Sequence, residues 1–187
     1  MAVQSNLLII GSTGRNTGKT EFACRIIENN SSRNEIIAVK VIPVDKNLEK
    51  CHRGLDGCGL CDSLTCEFEI LEEKDSGSAK DTSRMLRAGA KQAYLLLVDR
   101  NSLEMGINAL LERIPEHAMI IIESNTIRKV VNPGLFIVIR RSERKTVKPS
   151  CAEVIGFADK IIEFKNMNWN FQPGKVMIKN ERWMISE

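Results

Sequence analysis

Short apolar runs alternate along this chain with segments of helical period, and that alternation predicts the elements. Leu7–Ile10 reads as a buried strand and Gly11 to Thr17 as a loop. A helix starts at Gly18, with Phe22, Ala23, Ile26 and Ile27 on one face, and Asn29-Asn30-Ser31-Ser32 ends it. Glu35–Ile42 is a second strand. The rhythm then breaks over 43–78, a stretch rich in Asp, Lys, Glu, Gly and Cys, which reads as an insertion or long loop. Helical period resumes near Lys80–Lys91, followed by the strand Ala93–Asp99. Ser102 is placed to cap a helix reaching about Arg113, and Ala118–Glu123 is another strand.

Asn132-Pro133-Gly134 reads as a turn into the strand Leu135–Arg140. Ser150 and Glu153 have capping-box spacing, which predicts a short helix. Lys160–Phe164 is a further strand, and Lys175–Lys179 with Trp183–Ile185 reads as a terminal hairpin. Strands alternating with helices predict an α/β fold, a mostly parallel sheet with helices on both faces. At 187 residues the length fits one domain, with 43–78 as an insertion inside it.

Composition changes this picture little. A formal net charge of +3 is too small to argue for nucleic acid. The positive excess is local, in Arg140, Arg141, Arg144, Lys145 and Lys148, as a solvated edge or a patch for an anionic ligand. No apolar run approaches the ~20 residues of a membrane helix. With no basic, then apolar, stretch at the N-terminus, a cytoplasmic protein is expected.

The chemistry concentrates in Gly11-Ser-Thr-Gly-Arg-Asn-Thr-Gly-Lys-Thr20, between the first strand and first helix. There, backbone N–H groups and a helix N-terminus converge on an anion. This is the context of a phosphate-binding P-loop, with Gly14, Arg15, Asn16, Thr17 and Gly18 wrapping the phosphates. Lys19 would meet the β- and γ-phosphates, and the Thr20 hydroxyl would meet Mg²⁺. The usual spacing asks for glycine where this chain has Thr13, flanked by Gly11 and Gly14. The metal also needs a carboxylate at a neighbouring strand end, for which Asp45, Asp81, Asp99 and Glu123 are candidates. No Asn-Lys-x-Asp guanine-reading motif occurs, so ATP and GTP both stay open on these residues alone.

Cys51, Cys58, Cys61 and Cys66, with His52 beside the first, form the second constellation. The gap in Cys58-Gly-Leu-Cys61 lets two thiolates meet one ion, so a Zn²⁺ or Fe–S site is one expectation and redox-active thiols another. Cys24 reads as a core residue, Cys151 as a helix-start residue and His117 as a loop residue. Trp169 and Trp183 read as anchors of the C-terminal tail.

Three of these segments together resemble the molybdopterin-guanine dinucleotide biosynthesis protein B family over roughly residues 5–140. They are the Gly18-Lys19-Thr20 loop, Lys40 in Ala38-Val-Lys-Val-Ile42, and Lys80-Asp81-Thr82 leading to Ala88-Gly89-Ala90. Glu123 stands where that family has a strand-end Glu followed by Gly, here replaced by Ser124. The resemblance implies a P-loop fold, often dimeric, that binds GTP and assists attachment of GMP to molybdopterin. It implies Lys40 as a nucleotide-site lysine and Asp81 as a magnesium or switch carboxylate, so that Lys19, Asp81 and Glu123 form the expected catalytic set. The implied partners are a molybdenum-cofactor guanylyltransferase or a molybdoenzyme, and the implied chemistry is slow hydrolysis. Two other readings are kept: an NTPase that gates a Cys-bound metal, and an adaptor that senses nucleotide without hydrolysing it. A small-molecule kinase fits less well, for want of an arginine-rich lid.

Overall fold

The computed structural model describes residues 2–45, 64–143 and 146–186. Ten strands are described: β1 (Val3–Ser12), β2 (Ile36–Val44), β3 (Phe68–Glu73), β4 (Gln92–Asp99), β5 (Met119–Glu123), β6 (Asn132–Arg141), β7 (Lys160–Lys165), β8 (Asn168–Trp169), β9 (Val176–Lys179) and β10 (Arg182–Ile185). The α-helices are α1 (Lys19–Asn30), α2 (Asp81–Arg87), α3 (Leu103–Leu111) and the short α4 (Pro149–Ala152). Eight strands form one mixed sheet in the order β3-β4-β2-β5-β1-β6-β7-β8, and β9 with β10 forms a separate hairpin. Every pair from β4 to β7 is parallel, and the outer strands β3 and β8 are antiparallel. The fold is therefore α/β with a mostly parallel sheet.

The uninterrupted apolar run of β1 follows from its central place. Leu8 and Ile10 pack on one face with α1, α2 and the hairpin, through Phe22, Ile26, Met85 and Trp183. Leu7 and Ile9 pack on the other with α3 and α4, through Leu103, Ile107 and Cys151. Strand geometry sends alternate side chains to opposite faces, so a strand covered on both sides has no polar position to show. Cys24 sits in the first of these cores, and burial pushes its thiol up to about 11. Trp183 anchors the hairpin, its indole N–H donating to the carbonyls of Asn6 (3.0 Å) and Ile120 (3.1 Å). Among the described residues no helix is long and apolar enough to cross a membrane.

Four local expectations are corrected. Residues 43–78 hold β3, an edge strand whose half-buried Phe68 and Ile70 pack with the α3 side and which also carries Glu69, Glu72 and Glu73. Those glutamates disguise the strand as loop composition. Ser102 makes no side-chain cap; the Asp99 carboxylate instead accepts from the Asn101 N–H (2.9 Å), and a 3₁₀ turn precedes α3. The Ser150–Glu153 capping box does not form, because Lys148 is the N-cap and Pro149 the first helical residue. Ser150 and Glu153 turn to Asn125 and Lys129 instead.

The fourth correction is Asn132-Pro133-Gly134, which lies inside β6 and pairs with Val3 and Gln4. β7 joins β6 only from Ile137, so Pro133 sits where β6 lacks its second neighbour, a place that tolerates a missing N–H. Gly134 is required by close approach: a Cβ there would lie 2.6 Å from the Ser5 carbonyl oxygen, where the β1 register shifts. Backbone cannot rotate away as a side chain can. Gly134→Ala is expected to lower unfolding free energy by about 1–3 kcal/mol in urea melts, as overpacking does. An unchanged midpoint would show that β1 yields at its bulge.

Candidate functional site

The connections part at β1 and its neighbour β5, since β1 leads to β2 on one side and β5 leads to β6 on the other. Open α/β sheets bind ligands at such a switch point, outside the carboxyl ends of the strands. The glycine-rich loop leaves β1 there. Its start is held by Asn125, whose side-chain amide both accepts from the Ser12 N–H (2.7 Å) and donates to the Ser12 carbonyl (2.9 Å). That amide replaces the missing rung of a strand ladder and reaches Ser150 Oγ as well (3.3 Å). Thr13 then donates to the Ile139 carbonyl and accepts from the Lys148 N–H.

The loop closes on Gly18, in the left-handed region at φ 72° and serving as N-cap of α1. A Cβ there would meet the Phe164 ring at 3.0 Å and Trp169 at 3.2 Å, so conformation and space both demand glycine. Trp169 packs edge-on to Phe22 at 5.2 Å, which fixes the first turn of α1 against the tail. No side chain caps α1. Its N-terminal N–H groups and positive dipole end therefore face the loop, an arrangement that suits an anion. Thr17, only 1% exposed, buries its hydroxyl in this loop without a hydrogen-bond partner. A buried polar atom with no partner is uncommon and points to a group that completes it. Arg15 and Asn16 form the exposed outer part of the loop, with Asn16 left-handed at φ 54°.

Beneath the loop, five side chains meet. Register places Glu123, the end of β5, beside Ile10 of β1 and Lys40 of β2, so three neighbouring strands meet at it. Glu123, 2% exposed, accepts from Thr20 Oγ1 on Oε2 (2.8 Å) and from Lys40 Nζ on Oε1 (2.5 Å). Lys40 Nζ also lies 2.9 Å from Asp81 Oδ2 at the start of α2. Lys19 Nζ donates to Ser12 Oγ (3.0 Å) and stands 3.6 Å from Glu123 Oε1.

Burial pulls the Lys19 ammonium below the usual lysine value, and nearby Lys40 adds to that, while Glu123 opposes it without prevailing. Burial pulls on Lys40 too, but the charges of Glu123 and Asp81 outweigh it and hold Lys40 above the usual value. Burial would raise the Asp81 carboxyl, yet the Lys40 charge and hydrogen bonds from Lys40 and Thr20 carry it below the usual range.

Of the sequence-derived candidates, Lys19, Thr20, Lys40, Asp81 and Glu123 are brought together. Asp45 and Asp99 are not: Asp45 lies 3.8 Å from Arg100, and Asp99 caps its own turn. Arg140 pairs with Glu163 (2.5 Å) and Arg141 with Glu143 (3.7 Å), as on a solvated edge. Arg144 and Lys145 lie outside the described residues, as do Cys51, His52, Cys58 and Cys61. Cys66 is exposed, its thiol donating to the Phe68 carbonyl (3.0 Å). No group of three His, Cys, Asp or Glu fit to hold a metal gathers among the described residues. Sequence reading missed Ser12 and Asn125. An Asn two residues past a strand-end acid is the only signal of the latter, and nothing local tells that it faces another strand. No protein-family model matches the chain, nor does any curated protein or solved structure.

Proposed function

We propose that Gly11–Thr20 is a phosphate-binding loop and that the chain binds a nucleoside triphosphate with Mg²⁺. The observation that carries this reading is the convergence of Lys19, Thr20 and the buried Glu123 under an uncapped helix N-terminus at the sheet's switch point. The residues suit the cation: Thr20, Asp81 and Glu123 offer the hard oxygen donors that Mg²⁺ takes, sparingly, alongside phosphates and water. The orphaned Thr17 hydroxyl suits the phosphates. Lys19 and Lys40 would hold phosphate oxygens, Thr20 would bind the metal, and Asp81 or Glu123 would complete its shell or orient a water. When bound, Mg²⁺ neutralises charge that develops on the phosphates.

The sequence resemblance extends this reading to GTP, slow hydrolysis and an accessory role in attaching GMP to molybdopterin. Calorimetric titration with GTP and with ATP, each with Mg²⁺, tests it. Saturable binding with GTP preferred is expected. A preference for ATP removes the molybdopterin role and keeps the phosphate site; no binding of either removes both.

A further inference from the structure

We propose that Lys40 is a tethered counter-ion that reserves the divalent-cation site for a metal arriving with a nucleotide. The inference rests on the nucleotide reading above and adds an order of binding to it. The Lys40 ammonium sits between the two carboxylates, 2.5 Å from Glu123 Oε1 and 2.9 Å from Asp81 Oδ2. The Thr20 hydroxyl closes the same group through Glu123 Oε2 at 2.8 Å. Two carboxylates and a hydroxyl are what a divalent cation would seek, and here a side-chain cation already holds them.

Charge decides which cation wins. Lys19 and Lys40 balance Glu123 and Asp81, so these four side chains are neutral as a group. A bare divalent ion would have to enter beside two half-buried ammonium groups and displace one of them into no compensating partner. Arg84, whose charge is felt at Asp81, is already engaged by Glu21 at 2.6 Å and cannot take over either carboxylate without leaving its own. A triphosphate changes the balance. Its oxygens offer both ammonium groups a new anion, and the released carboxylates then face the metal that the phosphates carry.

Geometry lets Lys40 move without moving the sheet. Its backbone is fixed between β4 and β5, opposite Leu95 and Glu123, so only the four-carbon stem rotates. Glu123 is buried and stays, whereas Asp81, with a 39% exposed side chain at the start of α2, can follow. Lysine suits this task better than arginine, being a compact point charge on a flexible stem.

Equilibrium dialysis against Mn²⁺, with a circular-dichroism check of folding, tests the assignment. Four nucleotide-free chains are compared: wild type, Lys40→Met, Lys40→Arg and Lys40→Met/Glu123→Gln. The wild type is dialysed again with a non-hydrolysable triphosphate analogue, Mn²⁺ held by the analogue alone being subtracted. Lys40→Met is expected to retain Mn²⁺ at least about tenfold more tightly than nucleotide-free wild type, within the usual range of site coupling. Lys40→Arg is expected to stay closed, and adding Glu123→Gln to abolish the gain. Wild type that takes Mn²⁺ as tightly as Lys40→Met overturns the proposal, as does folded Lys40→Met with no gain. Should Lys40→Met not fold, the wild type decides. Mn²⁺ uptake that is the same with and without the analogue overturns the proposal, and uptake only with the analogue supports it. An analogue that does not bind defeats the nucleotide reading instead, while the comparison of nucleotide-free chains still judges Lys40.

Discussion

Lys19→Ala is expected to weaken triphosphate binding by about 30- to 150-fold, the equivalent of about 2–3 kcal/mol for one charge-assisted hydrogen bond. Lys19 is the first residue of α1, and its ammonium reaches back over the loop to Ser12 Oγ. Any phosphate seated at the helix N-terminus would therefore lie beside it. The same substitution is expected not to lower stability. Burial holds the Lys19 value below the usual one, so folding is opposed by this charge at neutral pH. The sign follows from proton counting: between the lowered folded value and the usual lysine value the unfolded chain binds more protons, and stability rises with pH. Loss of affinity with stability kept is the signature of a residue held ready for a ligand. Calorimetry and urea melts on one preparation test both halves. Equal affinity in the two proteins would sink the phosphate assignment, and a large loss of stability would make Lys19 a structural residue.

The opposite pattern is expected one strand away. Lys40→Met leaves Glu123 buried with weaker compensation from Lys19 and Thr20, and breaking a buried pair by removing one partner typically costs about 3–5 kcal/mol. The expected loss is about 3 kcal/mol, the lower end, because those two contacts survive. Adding Glu123→Gln is expected to restore most of it, since replacing both members of a buried pair is often neutral. Lys40 is held above the usual lysine value, so its contribution is complete below that value and is lost as pH rises through the folded one. Urea unfolding of the single and double variants at neutral pH gives the answer. A loss under about 1 kcal/mol for Lys40→Met would mean that the pair behaves like a surface salt bridge.

Much of this arrangement could be read from the chain because it is local. β1, the loop and α1 are consecutive, so an apolar run, glycines and a Lys-Thr pair announce one another within thirty residues. Glu123 was legible for another reason, as a charged residue at the end of a strand otherwise apolar on both faces, whereas Lys40 came only through the family resemblance. Asn125 was not legible, because its function is to bond Ser12, 113 residues earlier in the chain. β3 failed on composition, since an edge strand with one face in water can carry glutamates that a central strand cannot. Both capping errors share a cause. Ser102 and Ser150 both stand at helix starts, but a neighbouring aspartate in one case and a distant amide in the other decided the hydrogen bonds.

The place of β1 between β5 and β6 also sets a clock. Leu7–Ile10 is fully buried in the finished sheet, yet its first hydrogen-bonded neighbour begins at Met119. At roughly 5–20 residues per second, a ribosome takes about ten seconds to deliver that neighbour. Until then β1 has both edges open, and only α1, α2 and α3, made in turn, are at hand to shield its faces. Long-range parallel pairing is slow even once all its parts exist, since loop closure precedes any contact that rewards it. The nascent chain is therefore a client for chaperones that bind exposed apolar strands, and dilution from urea will give a refolding yield that falls as protein concentration rises.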